Sequence, residues 1–190
     1  KINELHNAIK FIEKRKVDLQ QTSEGKDGFE ILEEFKKIQS DQEEYEQKLA
    51  HLNKEKSIIE PWGDFSWETI EKLKNAGLVT DFYTCQSRIY NTKWENLFNI
   101  APIAEYGGQK YFILIHKAEE HVDIDAENIS LPATSLSKLN RDIADVKAIL
   151  EKADEIYDKF AASYLPVLKE TRKQLSKELD FKNVILNTQK

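Results

Sequence analysis

The stretch Pro61-Trp62-Gly63-Asp64-Phe65-Ser66-Trp67 divides this 190-residue chain into two kinds of sequence. Long helix-forming sequence precedes it, and a compact segment with strand patterns follows it. Proline disfavours helix at the residue before it, glycine relaxes the backbone, and the three aromatic side chains supply large apolar faces. We therefore predict a well-packed turn here, which we call the tryptophan corner, where a helical rod meets a small domain.

The composition favours extended helices over a single round core. Charged residues make up 33% of the chain, which has only six glycines and four prolines. The 28 basic and 34 acidic residues are interleaved and give a net charge of -6, which argues against a nucleic-acid or anionic-membrane surface. The single cysteine, Cys85, cannot form an internal disulfide, and no secretory signal opens the chain, so a cytosolic setting is the simplest expectation.

Residues 1–60 have the pattern of an outgoing coiled-coil arm with a break near residues 22–28. A first helix is predicted from apolar residues that share one stripe, namely Ile2, Leu5, Ile9, Ile12 and Leu19. A second helix, from about Phe29, places core positions at alternating intervals of three and four: Ile31, Phe35, Ile38, Gln42, Tyr45, Leu49, Leu52, Lys56 and Ile59. Gln42 and Lys56 either restrict the register of a partner helix or lie at a partly wet seam, and the sequence favours neither reading.

Residues 61–132 predict a small α+β lobe with a mostly antiparallel sheet. Ser66 is a candidate N-cap for a short helix that ends at Gly77, and a second short helix is expected around Trp94. Strands are predicted over residues 78–85, 100–106, 109–116 and 127–131. Gly107-Gly108 is the turn signal of a hairpin, and Pro102 assigns the first hairpin strand to a sheet edge.

Residues 133–190 predict a returning coiled-coil arm that begins at Ser135 or Ser137. Its apolar positions alternate by three and four, at Leu136, Leu139, Ile143, Val146, Leu150, Ala153, Tyr157, Phe160 and Tyr164. Pro166 is expected to bend this helix or to mark a stutter. About 45 residues at about 1.5 Å each give a rod of roughly 70 Å, comparable to the two N-terminal helices laid end to end. We therefore expect a long antiparallel coiled-coil hairpin with the lobe at its tip, and a parallel homodimer is the competing arrangement.

Motifs that would indicate catalysis are missing from the sequence, which has no phosphate-binding loop, dinucleotide fingerprint or H-E-x-x-H helix. His116, His121, Asp123 and Asp125 could offer metal ligands, but a solvated loop is the favoured interpretation. We expect no enzymatic activity, no cofactor and no metal. The candidate residues for partner binding or for a structural joint are aromatic: Trp62, Phe65, Trp67, Tyr90 and Trp94. Their packing in the lobe core is the alternative to a docking surface.

The tryptophan corner also carries a family resemblance. The corner follows an arm ending in Leu52-Asn53-Lys54-Glu55 and precedes Ile70-Glu71-Lys72-Leu73-Lys74-Asn75-Ala76-Gly77. In this setting it resembles the cytoplasmic N-terminal region of subunit I of V-type (A/V-type) ATPases, the counterpart of subunit a of the eukaryotic vacuolar pump. Further support comes from the strand at 79–85, the hairpin into residues 111–115, and Ile129-Ser130-Leu131-Pro132 before a long leucine-patterned helix.

The resemblance implies a non-catalytic stator fragment, the distal lobe with its coiled-coil stem, that resists torque during ATP-coupled proton or sodium transport. Its implied partners are the helical subunits of the peripheral stalk, with no nucleic acid and no direct membrane contact. The implied location is the cytoplasmic face of a membrane complex, because the parent protein is membrane-embedded. The chain has no methionine and begins within a helical pattern, so we expect a piece of a longer protein. A stand-alone cytosolic coiled-coil adaptor or tether is the alternative function.

Overall fold

The computed structural model describes residues 1–20 and 25–189. Within these residues the chain forms helices α1 (Ile2–Ile12), α2 (Gly28–Ile59), α3 (Trp67–Asn75), α4 (Trp94–Leu97), α5 (Leu136–Glu151) and α6 (Ala153–Thr188), with a 3₁₀ turn at Glu60–Trp62. The strands are β1 (Leu78–Gln86), β2 (Ile100–Tyr106), β3 (Gln109–Lys117) and β4 (Glu127–Ile129). The fold is therefore α+β, as predicted. Two compact units are present, Lys1–Lys48 with Val146–Lys190, and Leu49–Asp145.

The first unit has one apolar core shared by α1, α2 and α6. The amine of Lys1 lies 5.4 Å from the ring centre of Phe29, and the rings of Phe11 and Phe35 are 5.8 Å apart. Helix α1 therefore lies beside the start of α2 and runs in the same direction. The expectation that the two N-terminal helices lie end to end is wrong, because the stripe of α1 is buried in this common core.

Helix α1 ends at Ile12 and does not extend to Leu19, which is 57% exposed. The next core position of the stripe would be residue 15 or 16, and the chain has Arg15 and Lys16 there. Arg15 instead reaches across to α6, where its guanidinium donates to Asp158 at 2.9 Å. The predicted first helix was too long because a charged pair interrupts the stripe.

Helix α2 begins at Gly28, close to the predicted start, where it approaches α6 closely. A Cβ built on Gly28 would lie 2.0 Å from Thr171 Oγ1 and 2.7 Å from Thr171 Cβ, so glycine permits this contact. Residues 22–24 of the break predicted near residues 22–28 lie outside the described residues. The predicted seam positions of α2, α5 and the first part of α6 are all buried or half-buried, including Gln42 and Lys56.

Helix α6 passes through Pro166 without interruption, and the break in the returning segment lies at Lys152, between α5 and α6. Proline has no N–H, so the carbonyl four residues earlier, at Ala162, loses its helical donor. The backbone N–H of Gln20 donates to that carbonyl at 2.8 Å. The chain that follows α1 therefore satisfies the group that Pro166 leaves unpaired.

The second unit contains a four-stranded antiparallel sheet in the order β2-β3-β1-β4. The hairpin at Gly107-Gly108, the edge position of the strand with Pro102 and the central position of β3 are all confirmed. The pairing of β2 shifts register between Pro102 and Ala104, as expected where a strand residue cannot donate. Strand β4 ends at Ile129, two residues before the predicted end. No helix in the described part of the chain is long and apolar enough to cross a membrane.

Candidate functional site

The tryptophan corner is a tight change of direction between the 3₁₀ turn and α3. Gly63 has φ 75° and ψ -172°, a combination open almost only to glycine. Ser66 then caps α3, because its hydroxyl accepts from the backbone N–H of Thr69 at 3.4 Å. The sequence predicted both features.

One face of the sheet carries the corner's aromatic side chains. We call this group the corner cluster: Trp62, Phe65, Trp67, Phe82 and Tyr111. The ring of Trp62 meets Phe82 and Tyr111 edge to face at 5.2 and 5.4 Å, and Phe65 lies 5.2 Å from Trp67 and 5.4 Å from Phe82. Phe82 and Tyr111 share this face because Tyr111 pairs with Thr84, two residues from Phe82. Trp62 is 5% exposed, so its ring is part of the core.

The corner is also tied to the beginning of α5 by polar contacts. Trp67 Nε1 donates to the carbonyl of Thr134 at 2.9 Å. The Asp64 carboxylate accepts from both the backbone N–H and the hydroxyl of Ser137. A carboxylate at a helix N-terminus is favoured by the unpaired amides and the helix dipole there. Sequence reasoning missed the role of Asp64, since nothing in the local pattern links it to a residue 73 positions later.

The opposite face of the sheet carries a second aromatic group. We call it the loop cluster: Tyr83, Phe112, Tyr90 and Trp94. Tyr83 and Phe112 are direct partners in the β1–β3 register and stack at 5.6 Å, while Tyr90 and Trp94 lie 5.3 and 6.2 Å from Phe112. Successive residues of a strand point to opposite faces, so Phe82 and Tyr83 belong to different clusters.

Polar contacts orient the Tyr90 side chain within the loop cluster. Its hydroxyl donates to Glu95 at 2.7 Å, and the Lys110 amine lies 4.5 Å from the centre of its ring. Burial is the main cause that raises the pKa of the Tyr90 hydroxyl, and the neighbouring Glu95 carboxylate raises it further. Tyr90 therefore stays neutral and acts as a hydrogen-bond donor.

An ion pair lies at the other end of the β1–β3 pair. His116 Nε2 is 2.7 Å from Asp81 Oδ2, and His116 Nδ1 is 2.7 Å from the carbonyl of Lys117. Both partners are acceptors, so the ring satisfies both contacts only when both nitrogens carry protons. The hydrogen bond to Asp81 accordingly raises the pKa of His116.

The cysteine and the histidine of the sheet do not lie together. Cys85 pairs with Lys110 in the sheet, whereas His116 pairs with Val79, six residues along the strand or about 20 Å away. Burial raises the pKa of the Cys85 thiol. Within residues 1–20 and 25–189, no group of three or more His, Cys, Asp or Glu side chains could hold a metal ion.

The structure thus brings Trp62, Phe65 and Trp67 together on one face of the sheet and places Tyr90 and Trp94 on the other. Phe65, Trp67, Tyr90 and Trp94 are half-buried, so each combines packing with an accessible edge. Leu97, on α4 beside Trp94, is 71% exposed. This exposed leucine was not among the predicted site residues, and its setting in a helix of one turn gave no periodic signal.

The fold and these contacts define an α+β protein with an aromatic cluster on each face of its sheet. No family model matches the chain. It is 24% identical over 153 residues to V-type ATP synthase subunit I of Borreliella burgdorferi, an alignment that covers 77% of this chain and 24% of that protein. The chain thus spans about a quarter of the length of this curated relative. The similarity supports the resemblance to subunit I drawn from the tryptophan corner.

Proposed function

We propose that this chain is a non-catalytic stator piece of a rotary V-type ATPase, linking the membrane sector to the peripheral stalk. The observation that supports this most strongly is the similarity to a V-type ATP synthase subunit I over 153 residues, most of the chain. In this proposal the chain lies at the cytoplasmic face of a membrane complex, makes no membrane contact itself and resists torque during ATP-coupled ion transport.

A stator needs a joint that does not bend under load, and the tryptophan corner has the contacts for one. Several edge-to-face and tilted aromatic pairs meet there, each worth about 0.5–1.5 kcal/mol beyond area burial. The hydrogen bonds from Trp67 to Thr134 and from Ser137 to Asp64 add directional restraints. Trp62, Phe65 and Trp67 are therefore assigned to the joint.

Partner binding is assigned to the other sheet face, at Tyr90 and Trp94. Both side chains are half-buried and lie beside the exposed Leu97. Trp and Tyr are enriched among the residues that carry most of the binding energy of a protein interface. The partners proposed for this surface are the helical subunits of the peripheral stalk.

The finer architecture belongs to the same proposal. Residues 1–60 and 133–190 would form the two arms of an antiparallel coiled-coil stem, and residues 61–132 the lobe. In the first unit Phe35 lies 6.1 Å from Tyr157 and 5.7 Å from Phe160, an arrangement compatible with pairing of the two seams. X-ray scattering tests the proposal, since a compact chain of this length has a radius of gyration of about 16 Å. A value near that figure would contradict a long hairpin.

Stalk binding is tested with point variants of the purified chain and the stalk helical subunits of the same complex. Leu97→Glu places a charge in the proposed surface at an exposed position, so folding should be preserved and binding should weaken at least about tenfold. Tyr106→Ser removes a side chain that is 75% exposed elsewhere in the same unit and serves as the matched control. Unchanged binding by a folded Leu97→Glu variant would remove this surface from the proposal.

The adaptor alternative is separated from the stator by the reading frame that encodes this chain. Continuation into several apolar segments of about 20 residues would support the rotary-ATPase proposal. A frame that continues into a soluble ATPase head, or that ends without such segments, would replace it with the adaptor.

A further inference from the structure

The first unit has an open groove where α1 ends. Helix α1 ends at Ile12, whereas α2 continues past this point alongside the α5–α6 junction. The groove has a volume of about 330 Å³, and we call it the acidic groove. Its principal lining residues are Phe11, Gln42, Glu43, Glu46, Leu150 and Tyr157. It lies where a third helix would pack if α1 were longer.

The floor of the groove is apolar and only partly covered. Phe11 is 44% exposed although its ring packs 5.0 Å from Tyr157 and 5.8 Å from Phe35. A second depression of about 350 Å³ begins at Phe11 and continues along α1 and α2. The two depressions share Phe11 and Gln39 in their linings, so they adjoin at these residues.

The side-chain oxygen of Gln42, which lines the acidic groove, has no hydrogen-bond donor among the described residues. Its side chain is 9% exposed and lines the groove, yet its Oε1 atom accepts no hydrogen bond from any residue that the structure describes. A buried amide oxygen without a donor costs about 1–3 kcal/mol. Because the Oε1 atom itself is buried, a donor in the groove would recover part of this free energy when the Gln42 amide turns towards the groove.

Glu43 and Glu46 line the groove, and neither forms an ion pair with another residue in the described part of the chain. The Arg15 guanidinium lies over the rings of Phe11 and Tyr157, but it is already paired with Asp154 and Asp158. Burial raises the pKa of the Tyr157 hydroxyl, the Arg15 guanidinium opposes this shift, and the carboxylates of Glu46 and Glu43 add smaller upward shifts. In the neighbouring depression Lys36 is already neutralised by Glu4 at 2.9 Å, so the unbalanced negative charge lies at the Gln42 end.

We propose that the acidic groove binds one basic amphipathic helix of a partner protein. The apolar face of that helix would cover Phe11, a polar side chain would donate to Gln42 Oε1, and flanking Lys or Arg residues would face the two glutamates. The proposal goes beyond the stator function and does not depend on it, because the surface assigned to the stalk lies on α4 in the other unit.

A designed peptide pair tests the proposal on the whole chain. The probe is a synthetic helix of about 18 residues with leucine at core positions, one central glutamine and lysine at the flanking positions, and its twin has glutamate at those flanks. We expect the lysine peptide to bind at least about tenfold more tightly than its twin, with an affinity that falls as salt is added.

Three variants of the chain locate the binding, two of them with a pair of charge reversals and one with a single substitution. Glu43→Lys with Glu46→Lys should reverse the peptide preference, while Asp41→Lys with Glu44→Lys makes the same net charge change on α2 outside the groove lining and should leave it unreversed. Gln42→Leu should make the chain prefer a peptide with central leucine over one with central glutamine, a switch that general electrostatic attraction does not produce.

Three results would overturn the proposal. They are no binding of the lysine peptide at about 1 mM, equal weakening by both charge-reversed variants, and self-association of the chain that the variant of Glu43 and Glu46 abolishes. The second would indicate only long-range attraction, and the third would make a second copy of this chain the occupant.

Discussion

Replacing Gly63 by alanine should destabilise the sheet-containing unit through the backbone alone. At φ 75° and ψ -172° a residue with a Cβ is strained by about 1–3 kcal/mol. No heavy atom lies within 4 Å of the position that the new Cβ would take, so no steric clash adds to this cost. Alanine also lowers the conformational entropy of the unfolded chain, and this effect increases the unfolding free energy by about 0.4–1 kcal/mol. The net loss of unfolding free energy should be roughly 1–2 kcal/mol.

Urea denaturation followed by tryptophan fluorescence measures this loss in the relevant unit. The three tryptophans, Trp62, Trp67 and Trp94, all lie in Leu49–Asp145, so their emission reports on that unit. With a slope of about 1–2 kcal/mol per molar urea, the midpoint should fall by roughly 0.5–2 M without a change of slope.

The variant Gly63→Asn tests whether the strain comes from the extended ψ of Gly63 as well as from its positive φ. Asparagine tolerates the left-handed helical region, where ψ is near 50°, but gains nothing at the extended ψ of this corner. It should therefore destabilise the unit about as much as alanine. A Gly63→Ala variant within about 0.3 kcal/mol of the parent, or an asparagine variant that restores stability, would refute the assignment of strain to this corner.

The remaining predictions concern the ion pair of His116 with Asp81, the close contact of Gly28 with Thr171, and the contacts of Arg15. The pKa of His116 is raised in the folded chain. The pair with Asp81 therefore contributes its full stabilisation of the fold below the unfolded pKa of about 6.5, and this contribution is lost as the pH rises through the folded pKa. The difference in unfolding free energy between the parent chain and His116→Gln should therefore fall by about 1 kcal/mol towards alkaline pH. NMR titration measures the pKa of His116, and a free-energy difference that does not change with pH would contradict this prediction. Gly28→Ala should cost about 1–3 kcal/mol in thermal unfolding, and adding Thr171→Ala should recover part of it, whereas additive losses would exclude the clash. Arg15→Met should cost about 1–2 kcal/mol and abolish a salt-dependent component of stability, since it removes the exposed carboxylate contacts and the packing on aromatic rings.

Local signals predicted most of the sheet-containing unit because its elements are specified by short-range chemistry. Gly107-Gly108 accepts the positive φ of a tight hairpin, Pro102 cannot donate in a central strand, and Ser66 caps the helix that follows it. The seam spacing of the long helices was equally readable, since burial follows the three-four alternation. These features depend on residues within a few positions of one another.

The candidate site was predictable by residue type but not by grouping. The five aromatic residues, Trp62, Phe65, Trp67, Tyr90 and Trp94, were identified from size and composition. Their division between the two faces of the sheet depends on the pairing of Tyr83 with Phe112, which sets which strand residues share a face. Asp64 was overlooked for a similar reason, because its partner Ser137 is brought near only by the folded chain.

The sequence by itself determined most of the helices and strands, the buried seam of the long helices, and the turn at the tryptophan corner. Only the tertiary structure decided that α1 lies beside α2, that Gln20 satisfies the carbonyl freed by Pro166, and that Gln42 is buried without a donor. The physical reason is the separation along the chain over which each interaction acts. Periodicity and turn chemistry act within a helical turn or a hairpin, whereas helix pairing and hydrogen-bond satisfaction depend on groups that meet only when distant segments pack.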